Sequence, residues 1–352
     1  MSARPRPGWR RGRRRAALGA VGAAVLALVL MEPPPSAAPT PGPAPAPATA
    51  KAAAVEAAPP AQAGVASHHQ WQTDVELTRY WTPERLAGAL DADVLRRTAP
   101  GAPSAAAPAP EPPLPAPAAP GRTPLAGNPV QPYDGGGLAS RVNGALFSTI
   151  KGVDLACSGA VVDSPNGNLV VTAGHCLRNG GAGGSFASNI VFIPGYANGA
   201  APYGIWHAQW LTVTTGWGNR EDFDEDAGFA TFRPLGGRTL RDTVGGAFPI
   251  GFDLAPQPQT VFGYPKLPPF NGTTLMTCAG TPTADPLGGS SLGLPCAMTA
   301  GASGGVWLAG LQGGTGVVDS VVSYSYMVDP NVIYGTRFGP KIRALYQHAI
   351  GT

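Results

Sequence analysis

Three short stretches carry residues able to do nucleophilic chemistry. Thr172-Ala173-Gly174-His175-Cys176 sets a histidine directly after an apolar run. Asp226-Ala227-Gly228-Phe229-Ala230 sets a carboxylate at the entry of another, and Gly301-Ala302-Ser303-Gly304-Gly305 wraps a serine in small residues. A serine hydroxyl is a weak nucleophile: it needs a base to take its proton, and the base needs an acid partner to fix its tautomer. Ser303, His175 and Asp226 supply one of each. Glycine tolerates positive φ, so successive backbone N–H groups around Ser303 can turn into one concavity. Those of Gly301 and Ser303 are the candidate donors to a tetrahedral oxyanion. Asp226 closes the mostly acidic run Glu221-Asp222-Phe223-Asp224-Glu225-Asp226. It alone abuts the apolar strand, where a carboxylate can be both buried and aimed at a histidine; Asp224 is the alternative acid.

The elements that must hold these residues are short and β-rich. Gly159–Val162 and Leu169–Thr172, separated by Ser164-Pro165-Asn166-Gly167, read as a hairpin that delivers His175. Trp206, Ala208 and Trp210 alternate with His207 and Gln209, a half-buried strand with His207 facing outward. Thr260–Tyr264 and Val321–Tyr324 continue the pattern. Pro340 followed by Ile342, Leu345, Tyr346 and Ala349 predicts one closing amphipathic helix. A rival arrangement takes the glycine-flanked serine as the nucleophile elbow of an α/β-hydrolase, with Ser303, Asp329 and His348 in chain order. That elbow must open a helix, whereas Ser303 leads into Gly304-Gly305-Val306-Trp307-Leu308, a strand-like run, and His348 reads better as a polar position on the terminal helix.

Composition divides the 352 residues. Of 40 prolines, 25 fall in the first 132 residues, while 36 of 49 glycines fall from Ala139 onward. A single globule spanning the whole chain is therefore excluded. Seven arginines crowd positions 4–15; without them the formal charge of +3 would be −4, and from Ala139 onward 11 basic residues face 12 acidic ones. Nothing basic remains to recommend a nucleic-acid partner. The arginines precede an apolar run, Ala16–Met31, too short for a membrane span of about 20 residues and suited to a secretory signal over 1–31, with an uncleaved N-terminal anchor as the alternative. Residues 32–138 are expected to be a mostly disordered Pro/Ala-rich pro-region or linker, interrupted by a short helix near 82–97 that Thr82-Pro83-Glu84 would cap. Export puts Cys157, Cys176, Cys278 and Cys296 where disulfides persist, with three pairings open, and neither a cofactor nor a metal is called for.

TAGHC, GASGG and the order His…Asp…Ser resemble the chymotrypsin-like (trypsin-fold) serine proteases, especially secreted bacterial members, over 139–352. The resemblance implies an all-β fold of two six-stranded antiparallel β-barrels with a C-terminal helix. His175 and Asp226 would come from the first barrel and Ser303 from the second. It implies a disulfide between Cys157 and Cys176, which leaves Cys278 with Cys296. It also implies a secreted, monomeric serine endopeptidase acting on protein or peptide substrates through an acyl-enzyme. A catalytically silent binding protein on the same fold, or a serine esterase, is the competing expectation. By the same resemblance the primary substrate pocket has Ala297 at its base and Ser323 and Ser325 along a wall. Neither segment holds a carboxylate, so the expected preference is for small or medium apolar residues over Arg or Lys. Animal members carry an aspartate before the nucleophile to receive a new N-terminal amine; Ala302 stands there instead, which implies that exact N-terminal trimming is not required. Tyr80-Trp81-Thr82-Pro83-Glu84-Arg85 resembles a motif that recurs ahead of the domain in secreted bacterial relatives, as a pro-segment or a spacer.

Overall fold

In the computed structural model, residues 62–95 and 129–352 are described. The expected signal over 1–31, most of the Pro/Ala-rich stretches and the end of the helix expected near 82–97 lie outside them.

Among the described residues sixteen strands form two sheets, antiparallel except where β2 joins β5. The first contains β1 (Val65–His69), β2 (Leu90–Asp91), β4 (Asn143–Ile150), β5 (Val153–Val162), β6 (Leu169–Thr172), β7 (Ser188–Pro194), β8 (Trp206–Thr214) and β9 (Gly228–Phe232); β3 (Gln131–Pro132) belongs to the second. The second adds β10 (Gln259–Gly263), β11 (Met276–Gly280), β12 (Thr283–Ala284), β13 (Leu292–Pro295), β14 (Val306–Gln312), β15 (Thr315–Tyr326) and β16 (Asp329–Arg337).

In the first sheet β4 pairs with β5, β5 with β6, β6 with β9, β9 with β8, β8 with β7 and β7 again with β4, which closes a six-stranded barrel. The expected hairpin is present, with Ala160 opposite Val171 and Val162 opposite Leu169. The second sheet runs β12-β13-β16-β15-β14-β10-β11-β3. It curls far enough that Cys278 on β11 reaches Cys296, just beyond β13, with their Cα atoms 6.0 Å apart, so a disulfide spans the seam between strands that share no ladder. Val261, Leu294, Trp307 and Ile333 fill its interior. Val306, Leu308, Val318, Val321 and Phe338 instead join the core of the first barrel, so one continuous apolar interface fixes the two sheets against each other. The C-terminal helix, Pro340–Ala349, starts on its proline and buries Ile342, Leu345 and Ala349, as the spacing predicts.

Parts of the region before 139 are ordered. Residues 62–95 are folded onto the first barrel, and Gln131–Pro132 already pairs with β11. β8 pairs with β7 only over Trp206–His207, which leaves the edge Trp210–Thr214 open, and β1 fills it in antiparallel register. Buried Gln70 bridges the split, donating to the carbonyls of Ile190 (3.2 Å) and Ala208 (3.0 Å) and accepting the Ile190 N–H. Thr82 does cap a helix, but it ends at Gly88; a glycine weakens helix, and Leu90–Asp91 gain a parallel ladder with Leu155–Ala156. His207 is buried rather than outward-facing, because Asp74 covers it and meets Nδ1 at 2.9 Å. His348 meets Ser67 at 2.8 Å, and Ser303 leads into strand β14; the α/β-hydrolase arrangement is therefore absent.

Candidate active site

His175 sits in a single helical turn, Gly174–Leu177, directly after β6. Gly174 is needed there for space: a Cβ would lie 2.8 Å from the Trp217 ring and 3.0 Å from Asp226 Oδ1. Asp226 follows a 3-10 turn, Phe223–Glu225, and precedes β9, where it is fully buried. Its carboxylate grips the histidine twice. Oδ1 accepts the His175 backbone N–H at 2.8 Å and Oδ2 meets Nδ1 at 2.7 Å. Because Oδ2 is acceptor-only when ionised, Nδ1 carries the proton and Nε2 is left as the basic nitrogen. Nε2 is buried with no hydrogen-bond partner. Asp224, the alternative acid, faces elsewhere and accepts from the Ser290 and Ser291 amides and the Ser291 hydroxyl.

Ser303 comes from the second sheet, on the loop leading into β14, and is 3% exposed. Gly301 has φ +100° and Gly304 has φ +80°, the left-handed region. A Cβ on Gly304 would fall 2.1 Å from Thr172 Oγ1 and 2.4 Å from the Ser158 carbonyl, so only glycine lets the loop lie against the first barrel. Hydrogen bonds engage the amides of Ala302, Gly304 and Gly305, whereas those of Gly301 and Ser303, the two candidate oxyanion donors, meet no acceptor among the described residues.

Two serines that sequence reasoning gave no such role hold this geometry. The Ser158 amide donates to the Ser303 carbonyl at 2.8 Å, while its hydroxyl donates to the Gly301 carbonyl at 2.9 Å and accepts from the Tyr264 amide. Ser158 thereby ties the two sheets together at the loop; its place beside Cys157 was the available signal. Ser323 is fully buried and donates to Asp226 Oδ2 at 2.5 Å. Its hydroxyl is committed to the carboxylate, so any part it takes in a pocket wall falls to its backbone. Ala297 and Ser325 are both exposed. Cys157 and Cys176 are bonded to each other, which removes the thiolates that a metal at His175 would need.

No family model matches the sequence, and no curated protein does. Solved structures do. AL20, a thermostable serine protease from an extremophilic microorganism, is 42% identical, with a TM-score of 0.59 over 61% of this chain and 99% of its own. The chain belongs to the chymotrypsin-like serine protease family. The protease Anisep from Arthrobacter nicotinovorans is 37% identical to this protease, with a TM-score of 0.59 over 63% of this chain and 100% of its own. A Glu endopeptidase, 18% identical with a TM-score of 0.52 over 65% of this chain and 99% of its own, shares the fold. The two disulfides of this protease accord with an extracellular location.

Proposed function

We propose that the protein is a secreted serine endopeptidase working through Ser303, His175 and Asp226. Ser303 Oγ attacks the substrate carbonyl carbon while His175 Nε2 takes its proton, and the carbonyl oxygen becomes an oxyanion held by the Gly301 and Ser303 amides. When the tetrahedral intermediate collapses, the C–N bond breaks and His175 returns the proton to the leaving amine, leaving an acyl-enzyme. Water, activated by the same nitrogen, attacks the ester and releases the acid and Ser303. Asp226 orients His175 throughout and offsets the imidazolium charge. Each oxyanion donor lowers the barrier by about 2.7–4 kcal/mol in comparable sites.

The observation that carries this reading is the double contact of Asp226 on His175, which leaves a buried Nε2 without a hydrogen bond as the base. The charge balance and the four cysteines support export, with 1–31 as signal and 32–138 preceding the protease domain. The absence of a carboxylate at Ala297 or at Ser323–Ser325 supports preference for small or medium apolar residues. A fluorophosphonate probe should label the wild-type chain at Ser303 and fail to label Ser303→Ala. A wild type that never labels would favour a silent binding protein on the same fold. Turnover of esters without turnover of peptides would favour an esterase.

A further inference from the structure

Residues 62–93 run across the first barrel to the reactive pair. Beyond β1 and Gln70, the Trp81 indole donates to the Asn189 carbonyl at 2.5 Å, and Tyr80 and Arg85 converge on Asp154 at 2.7 and 2.6 Å. Leu77, Trp81, Leu86 and Ala89 are buried in the core of the first barrel. Lys266, whose backbone amide bonds Ala300 beside the serine loop, reaches the Ala87 carbonyl with Nζ at 3.1 Å. β2 then runs along Leu155–Ala156, the two residues before Cys157 and Ser158, and this steers the chain into the site. Two residues past β2 stands Asp93. Its Oδ2 accepts from Ser303 Oγ at 3.5 Å and its Oδ1 lies 3.9 Å from His175 Nε2.

We propose that residues 62–95 are a built-in inhibitor of this protease and that the Asp93 carboxylate is the group that disarms it. This rests on the reading of Ser303 and His175 as the reactive pair. A hydroxyl has one proton to give. Directed at Asp93, it is turned away from Nε2, which stays buried without a hydrogen bond. Forming the serine alkoxide beside a carboxylate is opposed by like-charge repulsion, and the space a scissile carbonyl needs is filled. What faces Ser303 is a side-chain carboxylate, which carries no leaving group, so the segment holds the site without being cut there. AL20 and Anisep align over 99% and 100% of their own lengths while covering only 61% and 63% of this chain, about the share made up by residues 139–352.

The test compares full-length wild type, Asp93→Ala, Asp93→Asn and Ser303→Ala by the rate of fluorophosphonate labelling. A second full-length protein, Arg85→Ala with Tyr80→Phe, loosens the dock at a distance from the reactive pair. Asp93→Ala is expected to label at least tenfold faster than wild type at an unchanged melting temperature. Asp93→Asn should also label faster, since it removes the charge, and the loosened dock should fall between Asp93→Ala and wild type. Equal labelling of wild type, Asp93→Ala and the loosened dock, with none of Ser303→Ala, would overturn the inhibitor while leaving the serine mechanism standing. No labelling of any protein, or labelling that survives Ser303→Ala, would overturn the serine mechanism and the inhibitor with it.

Discussion

Replacing Asp226 with asparagine tests the site at its most constrained point. The carboxylate meets three groups: the His175 backbone N–H at Oδ1 (2.8 Å), and His175 Nδ1 (2.7 Å) and the Ser323 hydroxyl (2.5 Å) at Oδ2. A carboxamide has one acceptor end and one donor end. The backbone N–H cannot reverse, so the carboxamide oxygen must stay at the Oδ1 position, and the NH2 group takes the place of Oδ2. It then donates to Nδ1 and drives the proton to Nε2, which can no longer accept from Ser303. Ser323 need only rotate its hydroxyl to become an acceptor. The fold should therefore change by about 1 kcal/mol or less, while kcat falls about 10⁴-fold, as comparable sites lose with the wrong tautomer. That factor is worth about 5 kcal/mol of barrier. The assay is turnover of an internally quenched peptide by whichever form of the chain is fastest, alongside ¹⁵N shifts of the His175 ring, which report the tautomer directly. A loss of less than tenfold with the melting temperature retained, or a ring still protonated at Nδ1, would refute the argument.

Ser158→Ala should leave the Gly301 carbonyl and the Tyr264 amide without their hydroxyl partner, at about 1–3 kcal/mol for each buried group. Because the Gly301 amide is aimed by the same loop, kcat should drop about tenfold with KM little changed; an unchanged kcat would show that the loop holds itself. Replacing Cys278 and Cys296 together by serine should cost about 3 kcal/mol, the loop-closure value for a bridge of this span, read as a lower melting temperature. Burial raises Asp319 from 3.8 to about 6, so the folded chain keeps this proton where the unfolded chain has released it. Stability should decline as pH rises from about 4 through 6 and stay reduced above, by up to about 3 kcal/mol. Asp319→Asn should melt higher than wild type at pH 7.5 and show no advantage near pH 4; an equal advantage at both would refute the assignment to this group.

Much of the site was legible in local sequence because its chemistry depends on local backbone. TAGHC and GASGG need glycine where a Cβ would strike Trp217 at Gly174 or Thr172 at Gly304, and that demand leaves a short, readable pattern. Asp226 could be preferred over Asp224 because burial follows from the apolar strand beside it. Residues that act across the chain left no such trace. Ser158 and Ser323 are ordinary serines until the fold brings them, across sequence separations of 145 and 97, to Ser303 and Asp226. His207 looked outward-facing by alternation, since periodicity reports the two faces of a strand and not what a distant segment lays over one of them.

By itself, then, the sequence singled out Ser303, His175 and Asp226 as the proposed nucleophile, base and acid, and the order in which two β-rich halves supply them. Those properties are written in residue types and short spacings. Only the tertiary structure decided what rests beside Ser303 and His175. The first barrel leaves an open edge on β8 and a gap beside β7, and those backbone groups must find partners. Val65–His69 and Gln70 supply them, and the chain that follows is thereby led along β5 until the Asp93 carboxylate rests against the serine.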